Sequence, residues 1–72
     1  MTETIMIRGD FIKLDALMKF AALAESGGEA KQLIAEGLVS VNGEVCLQRG
    51  KKLYPGDTVT FDHQTVRVLH EY

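Results

Sequence analysis

The stretch from Ser26 to Gly43, SGGEAKQLIAEGLVSVNG, constrains the fold more than any other part of the chain. Ser26 is a good N-cap, and Glu29 follows at the spacing of a capping box. In such a box the serine oxygen takes the Glu29 amide and the glutamate reaches back to the Ser26 amide. Ala30, Leu33 and Ile34 repeat at helical spacing and predict one apolar face, with Leu33 buried in it. Lys31, Gln32 and Glu36 fall off that face. Gly37 can take the left-handed conformation that ends a helix. Val39 and Val41 then alternate with Ser40, as in a half-buried strand. Asn42-Gly43 is the strongest short hairpin signal, since both residues tolerate positive φ. Gly27 and Gly28 open the helix, where free backbone amides can receive a phosphate.

Around this unit the chain alternates between short apolar patterns and turn signals. Thr4 to Ile7 is β-prone and reads as an edge strand or extended arm. Arg8-Gly9-Asp10 breaks it; three residues are too weak a match to read as an adhesion motif. Leu14, Leu17, Met18 and Ala21 predict an amphipathic helix from about Leu14 to Leu23, supported by Ala22 and Ala24. The connection from Glu25 to Gly28 is short, so the two helices must pack at an angle. After Gly43 the chain returns as Glu44 to Leu47. A two-residue hairpin sets Val41 opposite Glu44 and Val39 opposite Cys46. Val45 then either packs on the second face or is shifted by a bulge. Gln48 to Lys52 reads as a polar, basic loop, and Tyr54-Pro55-Gly56-Asp57 as a type II turn. Val59 and Phe61, then Val66 and Val68, alternate with polar residues on either side of Asp62-His63-Gln64. The expected fold class is α+β: two helices packed on a small, mainly antiparallel sheet, with residues 1–72 as one domain.

Composition narrows the function classes. The chain has 72 residues, and a domain of this size buries about 60% of the surface its unfolded chain exposes. With 46% hydrophobic and 25% charged residues it reads as globular, not disordered. No apolar run approaches the roughly 20 residues that cross a bilayer, so no membrane partner is expected. The N-terminal MTETIMIRGD lacks a basic segment followed by an apolar core, so no signal peptide is expected. Cys46 is the sole cysteine, which excludes an internal disulfide and fits a cytoplasmic location. The net charge is −2, so any attraction to nucleic acid must come from a local patch.

Lys31, Arg49, Lys51 and Lys52 are the candidates for such a patch, because the stretch from Val45 to Gly56 holds no acid. Their role would be phosphate neutralisation, with the Gly27 and Gly28 amides as further donors. Taken alone, so short a charge run reads as solvated loop. Asn42 is explained by the turn. Tyr54, beside a Pro-Gly turn, reads as a packing residue ahead of a base-stacking one. His63 and His70 have no further ligand at metal-binding spacing, and Cys46 reads as a small core or edge residue. Asp15 and Asp57 each have a local role at a helix start or turn. No nucleophile-base set is present, so neither an enzyme nor a cofactor is expected.

Taken together, Lys13-Leu14-Asp15, Ser26 through Ile34, Gly37-Leu38-Val39-Ser40-Val41-Asn42-Gly43 and Leu53 through Asp57 resemble the S4 RNA-binding domain, or alpha-L RNA-binding motif. The resemblance covers residues 13–61. Ser26-Gly27-Gly28, Ala30-Lys31 and Arg49-Gly50-Lys51-Lys52-Leu53-Tyr54 look like its small stand-alone bacterial members, the YaaA and YbcJ group. The resemblance implies non-catalytic binding of structured RNA, ribosomal or transfer RNA. It further implies a place in ribosome assembly or as an RNA adaptor, with contacts to ribosomal proteins. It implies that Lys13, Ser26, Gly27, Gly28, Lys31, Arg49, Lys51 and Lys52 form the RNA-binding surface, with the basic loop beside the start of the second helix. Two positions depart from the family pattern. Gly27 stands where the family usually has arginine, and Glu44 where a basic residue is common. Lys13 and Lys31 keep charge but not arginine's bidentate fork. The competing expectation is a protein-interaction module with little RNA affinity. A ubiquitin-like carrier is disfavoured, because its exposed Gly-Gly end is replaced here by Leu69-His70-Glu71-Tyr72.

Overall fold

Two helices pack on one face of a five-stranded sheet, and the sequence signals that start and stop them account for that packing. A computed structural model describes residues 2–71; Tyr72, the last residue of the Leu69-His70-Glu71-Tyr72 stretch, lies outside the described residues. The elements are β1 (Thr2–Ile7), β2 (Ile12–Lys13), α1 (Leu14–Phe20), α2 (Gly27–Ala35), β3 (Ser40–Val41), β4 (Glu44–Val45), β5 (Lys52–Leu53), β6 (Thr58–Phe61) and β7 (Gln64–His70). The large sheet has the order β1-β7-β6-β3-β4. β1 lies parallel to β7 as an edge strand, and the other pairs are antiparallel. β2 and β5 form a separate antiparallel ribbon. The α+β class is as expected.

α2 begins and ends as its sequence dictates, with one shift. Ser26 is extended, and its Oγ accepts the Glu29 amide at 3.2 Å. The Glu29 carboxylate closes the box one residue upstream, accepting from the Glu25 amide at 3.4 Å instead of from Ser26. At the C-terminus Gly37, at φ 77°, donates to Ile34 O, and Leu38 donates to Leu33 O. This pair of bonds is a Schellman motif, and it requires the left-handed residue. The buried face runs through Ala30 and Ile34. Leu33, expected to be buried, is only half-buried. Ala30 and Ile34 stack one turn apart, which leaves Leu33 at the flank of the stripe.

α1 stops at Phe20, short of the expected Leu23. Ala22 takes φ 60°, its amide donates to Lys19 O, and Leu23 donates to Met18 O. The same Schellman geometry is built here on alanine. A left-handed alanine costs about 1–2 kcal/mol. The turn swings Leu23 and Ala24 into the core, and burying a leucine side chain returns about 1.5–3 kcal/mol. Tertiary burial therefore overrides the helix propensity of the alanines.

The sheet's core face carries a cross-strand row, Val41 on Val59 on Val66, with Ile5 beside Val68. All five are buried against Leu14, Leu17, Met18, Ala30 and Ile34. The opposite face carries Ser40, Thr60 and Thr65, and the two threonine hydroxyls lie 3.2 Å apart. The β3–β4 turn has Asn42 at φ 52° and Gly43 at φ 86°, as a type I′ hairpin requires. Its register sets Val41 against Glu44 and Ser40 against Val45, so no bulge intervenes. Val45 lies on the second face, 61% exposed. Asp62 and His63, at φ 50° and 66°, form the turn between β6 and β7.

Candidate nucleic-acid interface

The type II turn after β5 forms as expected, with Gly56 at φ 99° and the Asp57 amide bonded to Tyr54 O at 2.9 Å. Asp57 then does more than turn the chain. Its Oδ2 accepts from the Tyr54 amide at 2.8 Å, and its Oδ1 accepts from Asn42 Nδ2 at 3.1 Å. Asn42 Oδ1 in turn accepts from the Thr58 amide at 2.9 Å. The β3–β4 hairpin and the Pro-Gly-Asp turn are thereby latched together, which sets the two ends of the basic loop between them.

The loop itself docks on α1. Leu14 donates to Lys51 O at 2.9 Å, and Asp15 donates to Arg49 O at 3.1 Å. These are first-turn amides that the helix cannot satisfy internally. The Lys13 side chain makes no cap bond, so loop carbonyls do the capping. Asp15 Oδ1 accepts the Ala16 amide at 2.8 Å, the local role expected of it. Lys13 lies directly across the ribbon from Lys52. The geometry therefore brings Lys13, Arg49, Lys51 and Lys52 together at the start of the first helix. The expected position, beside the start of the second, is not where its hydrogen bonds tie the loop.

The remaining candidates lie on α2. Ser26, Gly27, Gly28 and Lys31 are all exposed. Ser26 Oγ is occupied by capping, while Gly27 and Gly28 occupy the first turn, where amides lack intrahelical partners. A side chain added at Gly27 meets nothing within 4 Å.

Among the described residues the ion pair is Arg8 to Glu71, at 3.3 Å. None of Lys13, Lys31, Arg49, Lys51 and Lys52 is held by a carboxylate among the described residues. Like charges placed directly opposite in a ribbon, as Lys13 and Lys52 are, destabilise it. Lys52 Nζ is instead held 4.8 Å from the Phe11 ring centroid, a cation–π contact that leaves the charge unneutralised. Such an arrangement is suited to an anionic partner. Tyr54, read as a packing residue, is 49% exposed, and its ring centroid lies 6.1 Å from that of Phe11, another exposed ring.

The other chemistry-bearing residues have structural places. Cys46 is half-buried against the core, with Sγ 3.7 Å from Gln48 O. Among the described residues no cluster of three or more His, Cys, Asp or Glu could hold a metal. No described helix is long and apolar enough to cross a membrane. Sequence reasoning missed the β2–β5 ribbon and the role of Phe11. The available signal was the alternation of Phe11-Ile12-Lys13 facing Lys52-Leu53-Tyr54, too brief to stand out from loop.

Two short helices on a small, mainly antiparallel sheet are the architecture of the alpha-L motif. The chain belongs to the S4 domain family, whose model matches residues 5–69. It is similar to the "Probable ribosome maturation protein RlbA" of Bacillus subtilis (strain 168), at 40% identity over 62 residues, covering 86% of this chain and 87% of the relative. YbcJ of Escherichia coli (strain K12) is 40% identical over 58 residues, covering 81% of this chain and 83% of that protein. The solution structure of E. coli YbcJ, described as revealing an alpha-L motif involved in RNA-binding, matches with a TM-score of 0.68 at 35% identity. That match covers 94% of this chain and 85% of YbcJ.

Proposed function

We propose that residues 1–72 act as one unit that binds structured RNA without catalysing a reaction, in the cytoplasm and during ribosome maturation. The observation that carries this is the cluster of Lys13, Arg49, Lys51 and Lys52. These cations are anchored at the start of α1 by two loop-to-helix hydrogen bonds and, among the described residues, are paired with no carboxylate. Four unneutralised cations on a protein of net charge −2 match a phosphate backbone at one face while the rest of the molecule repels it. Lys31 and the Gly27 and Gly28 amides are further candidate phosphate contacts, on α2. Family membership supports RNA as the polyanion, and the relative named for ribosome maturation supports ribosomal over transfer RNA.

Leu38, Val45 and Leu47 favour an additional protein contact. All three are exposed, and the Val45 and Leu47 side chains both lie within 4 Å of where a side chain on Gly37 would start. On a ribosomal precursor this apolar patch would meet a ribosomal protein while the basic loop holds RNA. Ultraviolet crosslinking in cells, followed by sequencing of the bound RNA, tests the reading. Ribosomal RNA fragments enriched over those from a Lys13→Gln, Lys51→Gln protein are expected. Recovery of no RNA above background would leave the protein-interaction reading in its place.

A further inference from the structure

The outward face of the β2–β5 ribbon carries four side chains in a two-by-two array. Lys13 is paired with Lys52, and one step along the ribbon Phe11 lies beside Tyr54. Between them Ile12 is paired with Leu53, and these turn inward: Leu53 is fully buried and Ile12 packs on the core. The alternation is that of any strand, so all four outward residues share one face. All four are exposed. The two rings are tilted by 51°, and Lys52 Nζ reaches across to Phe11. That leaves the Tyr54 ring as the half-exposed aromatic surface beside two ammonium groups that no carboxylate among the described residues neutralises.

Exposed aromatic pairs cost solubility and contribute little to a core already closed by Leu53. Aromatics interleaved with lysines are what a single-stranded nucleotide requires: a π-surface for the base and cations for the phosphates on either side. An uninterrupted duplex offers no free base to such a surface, since its bases are stacked and its deep groove excludes side chains. We infer that the Phe11–Tyr54 pair is a stacking platform for an unpaired nucleotide of the bound RNA, with Lys13 and Lys52 holding the flanking phosphates. This rests on the RNA-binding reading and adds to it the class of RNA: a helix interrupted by a bulged or looped-out base. The lysines make the occupant a polyanion, and the rings select its unpaired part.

The test uses two RNA hairpins of identical stem, each closed by a hexaethylene glycol linker in place of a nucleotide loop, one fully paired and one with a single bulged 2-aminopurine. The parent is expected to bind the bulged hairpin about tenfold more tightly, the order of one base–aromatic stack. Tyr54→Phe should keep that preference, and Tyr54→Leu should abolish it with the fold intact by circular dichroism. At saturation, 2-aminopurine emission should be lower with the parent than with Tyr54→Leu. Phe11→Leu, on the facing strand, provides a second variant and should also reduce the preference. Lys13→Gln should weaken both hairpins alike. A parent that binds both hairpins equally, or a Tyr54→Leu protein that keeps the preference and the quench, overturns the platform and leaves RNA binding standing. A parent that binds neither hairpin at low salt overturns both.

Discussion

At the residue scale, two backbone positions hold more of the fold than their side-chain sizes imply. Ala22 sits left-handed at φ 60° in a motif that normally uses glycine. Ala22→Gly should therefore stabilise the protein by about 0.5–1 kcal/mol, the left-handed strain relieved less the added unfolded-state entropy. A rise in the urea midpoint at unchanged m-value checks this. Asn42 provides both a left-handed turn residue and the two-sided bond to Asp57 and Thr58. Asn42→Ala should cost about 1–3 kcal/mol, combining left-handed strain with hydrogen bonds left unmade. The same unfolding curve reads it. Asn42 was legible in the sequence as a turn residue. Its partnership with Asp57 was not, because fifteen residues separate the two and no local pattern encodes a contact of that reach.

At the scale of elements, the legible parts are those whose determinants are local. The Ser26 cap, the Gly37 stop, the Asn42-Gly43 hairpin and the Pro55-Gly56 turn were all readable, since each depends on a residue's own φ or a short hydrogen bond. The end of α1 was not. Three alanines favour helix between Phe20 and Glu25, and the chain leaves the helix there because Leu23 and Ala24 are buried by doing so. The same limit explains Leu33: periodicity marks the apolar stripe, but packing selects its centre. Ile34 is almost fully buried and Leu33 is not. Ile34→Ala should cost about 2–5 kcal/mol, and Leu33→Ala clearly less. Ser26→Ala should cost about 1 kcal/mol through the lost cap. Thermal or denaturant melts of the three variants rank them; an order with Leu33 first would contradict the packing described.

At the scale of the whole molecule, the proposed RNA binding rests on an uneven charge distribution over a net-negative protein. The cations of the patch were legible as residues, because their stretch lacks acids. Their grouping with Lys13 came from the family resemblance alone, because Lys13 joins Arg49, Lys51 and Lys52 through ribbon pairing and helix capping, which no local pattern encodes. Gly27 marks how this surface can be strengthened. A side chain there meets open space and its backbone requires no glycine, so Gly27→Arg should fold. It should raise RNA affinity several-fold at fixed salt, as one added phosphate contact does, and binding isotherms check it. The central claim is that the anchored cations bind phosphates, and salt dependence measures this most directly. If Lys13, Arg49, Lys51 and Lys52 each neutralise one phosphate, log affinity for structured RNA should fall against log salt with a slope of about −3 to −4, from about −0.7 per contact on a single strand to about −0.9 on a duplex. A variant with all four changed to glutamine should remain folded, bind more weakly and show a nearly flat slope. A folded quadruple variant that keeps the parent's slope and affinity would contradict the account.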